Sequence, residues 1–244
     1  MFNLHRGKYR ARLAETSEDV ALAQALRYRA FFGPDTGSDA DDYDQRCSHV
    51  LIEDVSSDAL VCCFRMLDMP NGADIDTSYS AQYYELSGLR DFGGPMVEMG
   101  RFCVDPNLSD PDILRVAWGA MTQYVDARGV ELLFGCSSFK GVEAATYADA
   151  FALLKARHLA PKRWLPKIKA PTVFKFAQRL RRKPNAQNAM RVMPPLLKTY
   201  LMMGGWVSDH AVVDRQMNTL HVFTGIEIGA IPPARKRLLR AVMG

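Results

Sequence analysis

The stretch Met96 to Asp105 (MVEMGRFCVD) has the apolar make-up of a buried strand, yet it carries Glu98 and Arg101 in its middle. A carboxylate and a guanidinium taken out of water cost several kcal/mol each unless the fold supplies partners. Either other elements reach in to pair them, or the strand runs past a functional cleft. Residues three apart on a regular strand point to opposite faces, so a bulge at Gly100 is expected to re-aim one of the two. A buried ion pair with a purely structural role meets the same requirement, and the segment alone leaves both readings open.

At 244 residues the chain is long enough for one large domain. We read 1–244 as a single domain with a basic, proline-containing segment at 155–200 and a basic tail at 232–244. No apolar run reaches the ~18 residues that span a bilayer, and the N-terminal residues lack an apolar signal core. A cytoplasmic protein is the expectation, with peripheral contact at the inner membrane as an extension of it. The five cysteines form no CxxC pair and no metal-ligand spacing, so they are expected to be reduced thiols, with no bound metal or cofactor.

Charge is strongly polarised along the chain. Between Ala150 and Ser208 there is no Asp or Glu but thirteen Lys and Arg, whereas Phe31 to Asp58 holds eight acids and one base, Arg46. The basic span, with Arg179, Arg181, Arg182 and Lys183 at its densest point, suits an anionic partner. A carrier protein and a lipid surface both qualify. Few aromatics interleave with those bases, so nucleic acid is not expected.

The pattern of elements is legible in outline. Lys8 to Ala14 reads as a strand. Thr16 or Ser17 caps a helix that carries Val20, Ala23, Leu26, Ala30 and Phe31 at helical spacing and ends at Gly33-Pro34. His49–Asp54 and Ala59–Leu67 read as paired strands, and Met69–Gly94 as loop. A helix opened by Ser109 and Pro111 has Leu114, Ala117 or Trp118, Met121 and Tyr124 or Val125 on its apolar stripe and stops at Gly129. Glu131–Cys136 is the next strand, Val142–Ala156 a helix, Leu196–Met203 a short helix, and Val212-Val213 and Leu220–Phe223 late strands. Alternating elements of both kinds indicate an α/β domain with a mixed central sheet. GxGxxG and Walker sequences are absent.

Taken in order, the charged positions resemble a known family. Arg27 and Phe31 stand in LRYRAFF, Asp41 and Asp44 in DDYDQRCSHVLI, Arg65 in FRML, and Glu98 and Arg101 in EMGRFCVDP. With LFGCSSFKG and the block Pro194–Thr219, they make the chain similar to the ornithine-lipid synthases, the acyl-carrier-protein-dependent ornithine N-acyltransferases related to acyl-homoserine-lactone synthases. The resemblance implies a GNAT-like fold whose mixed, mostly antiparallel sheet splays between its fourth and fifth strands. It implies transfer of a long-chain (3-hydroxy)fatty acyl group from the phosphopantetheine of acyl carrier protein to the α-amine of an amino acid, most simply ornithine. The lyso-aminolipid product would pass to a second O-acyltransferase. Leu220-His221-Val222 stands where the family usually has Thr-Asp-Val, which leaves the acceptor open.

Residue roles follow from that resemblance. Glu98 is the candidate base, acting through a water, and Arg101 with Arg65 would grip the acceptor carboxylate as a bidentate fork. Asp41 and Asp44 would hold its ammonium. Arg27 and Phe31 would wall the site, and Ser137 and Ser138, expected just past the fifth strand, would meet the thioester or the pantetheine. The segment Asp105–Asp110 has no glycine, one proline and two acids, so it is poorly made to wrap the pyrophosphate of coenzyme A. Three alternatives remain at this point: glutamine as acceptor, an acyl-homoserine-lactone synthase, and a non-enzymatic binder of membrane surfaces.

Overall fold

The computed structural model describes residues 3–240. β1 (Asn3–Arg6) and β2 (Tyr9–Leu13) precede α1 (Ser17–Phe32), and β3 (Ser48–Asp54) turns into β4 (Ala59–Met69). A connection of short 3-10 turns holds β5 (Tyr84–Glu85), then come β6 (Met96–Val104), α2 (Pro111–Arg128), β7 (Leu132–Lys140) and α3 (Ala148–Arg157). Short pieces follow: β8 (Lys167–Ile168), β9 (Val173–Phe174), α4 (Phe176–Arg179), α5 (Ala186–Val192) and α6 (Pro195–Met202). β10 (Trp206–Val207), β11 (Ala211–Asp214), β12 (Thr219–Glu227) and α7 (Pro233–Arg240) complete the chain. These elements form two compact units: the described residues of Met1–Asp68, Val97–Val130 and Pro233–Gly244, and those of Met69–Met96 with Glu131–Pro232.

In the first unit the strands lie in the order β1-β2-β3-β4-β6. β1, β2, β3 and β4 pair antiparallel in sequence, with an irregularity at Ile52/Glu53. A capping box starts α1: Thr16 accepts from the Asp19 backbone N–H, and Asp19 accepts from the Thr16 N–H. Arg12 of β2 grips the same Asp19 with both Nη atoms, at 2.6 and 2.8 Å, and also reaches Glu53 of β3. Arg12 therefore fixes the helix start to the sheet and holds the Asp19 carboxyl well below the usual range. The inner face of α1 buries Ala23 and Leu26 against Leu51, Cys63 and Cys103, with Phe31 partly buried on the same cluster.

α2 differs slightly from expectation. Its N-cap is Asp110 rather than Ser109, with Pro111 in the first turn, and Ile113 takes the core position expected of Leu114. Gly129 ends it at φ +60°, the left-handed cap that glycine takes without a Cβ clash. The expected basic tail begins as the helix α7, while its last four residues, 241–244, lie outside the described residues.

The second unit is built on β12, which pairs antiparallel with β7 along its whole length, from Thr219 opposite Lys140 to Glu227 opposite Leu132. β11 and then β9 continue the sheet, β10 also pairs with β12, and a parallel bridge joins Leu159 to Val207. The architecture is thus a mixed, mostly antiparallel sheet flanked by helices. α3 lays Phe151 against Phe139 and Phe176, with ring centres 4.9 and 5.1 Å away, and Phe223 stacks between Phe134 and Trp206. Phe134, Phe139 and Phe151 are therefore core. The segment read as loop, Met69–Gly94, is ordered by 3-10 turns and by β5, which pairs with β8. Gly72 sits against the Leu89 carbonyl with no room for a Cβ.

One polar cluster lies within this unit. Tyr84 donates to the His221 carbonyl at 2.8 Å, and the rings of Tyr83 and Tyr84 pack edge-on against the His221 imidazole. His210, beside Tyr84, takes Asp209 on Nδ1 at 2.7 Å. The Nε2 atoms of both buried histidines have no hydrogen-bond partner among the described residues.

Candidate active site

Six ionised side chains of the first unit converge on one network. Arg27 of α1 and Arg65 of β4 are 1% and 3% exposed, which is tolerable only because carboxylates meet them. Arg27 donates through Nε to Asp39 at 2.9 Å and through Nη1 to Asp44 at 2.8 Å, with its Nη2 on the Asp39 carbonyl. Arg65 donates to both oxygens of Asp41, at 2.5 and 2.8 Å, and to Asp44 at 2.6 Å. Arg101 of β6 completes the ring with Nε 2.9 Å from Asp39 and Nη2 3.4 Å from Asp41.

The acidic loop is shaped to serve these arginines. Asp41 accepts from the Tyr43 backbone N–H, and a 3-10 turn over Asp44–Arg46 swings the second carboxylate inward. Gln24 Nε2 and the buried His49, whose Nε2 donates to the Asp44 carbonyl, fix Asp44 from either side. Burial alone would raise the Asp44 carboxyl, but hydrogen bonds from Arg27, Gln24 and Arg65 hold it well below its ordinary value. Asp41 is likewise held low: burial opposes, and Arg65 and Arg101 prevail. His49 is pushed down by burial and stays neutral as a donor.

Arg101 stands at φ +53° within a strand. A left-handed backbone costs a residue with a Cβ roughly 1–2 kcal/mol, and here the two carboxylates offset it. This corrects the expected bulge at Gly100. The chain is re-aimed one residue later, because it is the Arg101 guanidinium that must turn toward the Asp39–Asp41 loop. Gly100 instead lies under the Arg65 side chain, 3.6 Å from Nε to where a Cβ would stand.

Glu98 is buried at 4% exposure. Its charge is felt at the Cys47 thiol along with those of Asp44 and Asp41, which places it near the same cluster; burial first, and then these carboxylates against the opposing pull of Arg65, push Cys47 up to about 12. Cys47 and Asp44 also line a cavity of about 390 Å³ with Glu15, Thr16, Ser48 and His49. Glu98 is not among the residues that line that cavity.

The remaining expected residues lie elsewhere. Phe31 packs on the hydrophobic cluster under α1 and not on the ionic ring. Ser137 and Ser138 stand inside β7 rather than after it, since the ladder to β12 runs on to Lys140. Ser137 is buried and accepts from Thr224, while Ser138 is exposed. Arg179, Arg181, Arg182 and Lys183 are all exposed in the second unit. Sequence reasoning missed Asp39, Gln24 and His49. None of the three carried a distinguishing signal: Asp39 is one of several acids in its loop, and Gln24 and His49 are neutral polar residues on a helix and a strand.

A family profile described as an acetyltransferase (GNAT) domain matches residues 26–119, which contain the whole ionic network. An L-ornithine N(alpha)-acyltransferase of Rhodobacter capsulatus is 32% identical over 233 residues, 88% of each chain. Another, from Rhizobium meliloti, is 29% identical over 90% of this chain and 80% of its own. Among solved structures, the N-acyl amino acid synthase FeeM from uncultured soil microbes superposes with a TM-score of 0.52 at 10% identity, covering 91% of this chain and 92% of that one, a likeness of fold. With 32% identity across 88% of the Rhodobacter capsulatus relative, the chain belongs to the L-ornithine N(alpha)-acyltransferase family and is an N-acyltransferase of GNAT fold.

Proposed function

We propose that this N-acyltransferase moves a long-chain fatty acyl group from acyl carrier protein to the α-amine of ornithine. The observation that carries the reading is the ionic ring itself. Its two most exposed members are of opposite sign, Asp41 at 24% and Arg101 at 13% of side-chain surface, while Arg27, Arg65, Asp39 and Asp44 are buried behind them. A zwitterionic amino acid presents an ammonium and a carboxylate, the pair that an outward carboxylate and guanidinium recognise. The relatives' names supply ornithine as the acceptor.

In the reaction the neutral amine attacks the thioester carbonyl. A C–N bond forms, the C–S bond breaks, and the thiolate leaves with the proton that the amine gives up. An α-amine, near pKa ~8, loses its proton more readily than a Lys-type amine near ~10.4, so the α position is favoured without further discrimination. Glu98 is the base of this scheme, reaching the amine through a water. Arg101 orients the acceptor carboxylate and Asp41 the ammonium before deprotonation. Ser137 and Ser138 are retained as candidate contacts for the donor.

The segment before α2 supports a carrier-protein donor over free acyl-coenzyme A. Asp110 caps that helix through its own carboxylate, Pro111 has no N–H to offer, and Asp112 adds a further negative charge. A pyrophosphate would meet acids where it needs amide donors. Among the described residues no helix is long and apolar enough to cross a membrane. The lyso-aminolipid product is an amphiphile, and an O-acyltransferase is the class of enzyme that would consume it.

A panel of amino acids, each offered with one long-chain acyl carrier thioester, tests this by mass spectrometry. Ornithine should give the N-acyl product, and Glu98→Gln should lower kcat by about 10²–10⁴-fold. Preference for glutamine would move the acceptor assignment. No N-acyl product with any amino acid would refute the reading.

A further inference from the structure

We infer that the basic turn Arg179–Lys183 of the second unit is a docking surface for an anionic lipid bilayer. Asp149, at the start of α3, anchors it: its carboxylate accepts from the Asn185 backbone at 3.1 Å, from Asn188 Nδ2 at 2.7 Å and from Arg182 at 2.7 Å. Those bonds tie the turn after α4 to both α3 and α5. Lys155 adds a second tie, donating to the Leu180 carbonyl at 2.7 Å. The turn is therefore held in place, and the acid nearest to it is already engaged.

What this scaffold presents outward is nearly pure positive charge. Arg179, Arg181 and Lys183 are exposed and form no ion pair among the described residues, and Arg191 is exposed on the neighbouring α5. Beside Arg191 stands Met190, 40% exposed. Every exposed large hydrophobic of the second unit, Leu159, Ile168, Met190 and Met202, falls within the acid-free span Ala150–Ser208. Charge alone would serve an acidic protein. Bases with a solvent-facing thioether beside them, Met190 on the neighbouring α5, match the boundary between anionic headgroups and acyl chains. None of those exposed side chains is aromatic, which removes the stacking platforms a nucleic acid would use.

This inference rests on the charge and exposure of the second unit and stands independently of the acyl-transfer reading. The test is co-sedimentation of the full chain with vesicles of phosphatidylcholine alone and of equimolar phosphatidylglycerol and phosphatidylcholine. Binding is expected only to the anionic vesicles and should fall steeply with added salt. The triple variant Arg179→Gln, Arg181→Gln, Lys183→Gln should weaken it roughly a hundredfold, at about fivefold per cation. Arg182 is left in place so that the Asp149 anchor survives, with circular dichroism as the check on folding. Met190→Asn should weaken binding severalfold with the charge unchanged. Equal binding to both vesicle types, or a triple variant that binds like the parent, would overturn the inference. So would a triple variant that keeps vesicle binding but loses turnover with carrier thioester, which would assign the turn to the carrier protein.

Discussion

His221 offers a sharp test of how burial shapes the second unit. Its imidazole is 3% exposed between Tyr83 and Tyr84, with Nε2 lacking a partner among the described residues. Burial pushes its pKa down to about 4, against the pull of Asp214 and with some help from His210. In the unfolded chain a histidine titrates near ~6.5. The folded value is the depressed one, so as pH falls the unfolded chain takes up the proton first. Stability from the neutral ring is complete above ~6.5 and is lost as pH falls toward ~4. The gap of about 2.5 between the two pKa values is worth about 3 kcal/mol in all, of which about 2.5 kcal/mol is gone by about pH 4.5. His221→Leu removes the titrating group and keeps an apolar filler, while the bond from Tyr84 to the backbone carbonyl needs no side chain. Urea unfolding of both proteins at neutral pH and at about pH 4.5 measures the difference of differences, and acid effects shared by the two, such as those on Asp44, cancel. The parent should lose about 2.5 kcal/mol more than the variant on acidification. Equal losses would show that His221 does not carry the pH dependence and that the cluster admits water or charge.

Two further outcomes probe the first unit and the ordered connection of the second. Asp44→Asn leaves Arg27 and Arg65 buried with one acceptor fewer and should destabilise the protein by about 3–5 kcal/mol, read as a fall in the urea midpoint; a change under about 1 kcal/mol would mean that solvent reaches the ring. Gly72→Ala forces a methyl into the Leu89 carbonyl and should cost several kcal/mol by overpacking, with proteolysis increasing first within Met69–Gly94; an unchanged melting temperature would show that this segment yields freely.

Much of the ring was legible because its members are costly to bury. Arg65, Glu98 and Arg101 interrupt apolar strands, and Asp41 and Asp44 crowd a short acidic loop, so the sequence itself marks them as needing partners. Asp39 was hidden among neighbouring acids, and nothing local distinguishes the aspartate that bridges two arginines from one in water. Gln24 and His49 each reach Asp44 through a single hydrogen bond, which leaves no pattern. The long elements were found because their periodicity is strong, as in α1 and β4. The pieces from β8 to α5 were not, since two- to seven-residue elements are set by tertiary contacts such as Asp149 with Asn188 and Phe151 with Phe176. Ser137 was misplaced for a related reason: β7 outlasts its apolar run because β12 continues alongside it.

The closed circuit of Arg27, Arg65 and Arg101 with Asp39, Asp41 and Asp44 sums to no net charge. Seen from a few ångströms away it is a multipole whose field decays quickly, so it should do little to draw an amino acid in from bulk solution. Its effect is confined to touching distance, where guanidinium and carboxylate already point the right way and need not reorganise when a ligand arrives. If the ring receives the acceptor as proposed, capture should therefore be nearly indifferent to ionic strength, seen as a flat KM in rising sodium chloride, because the attraction exists only once solvent between the two has gone.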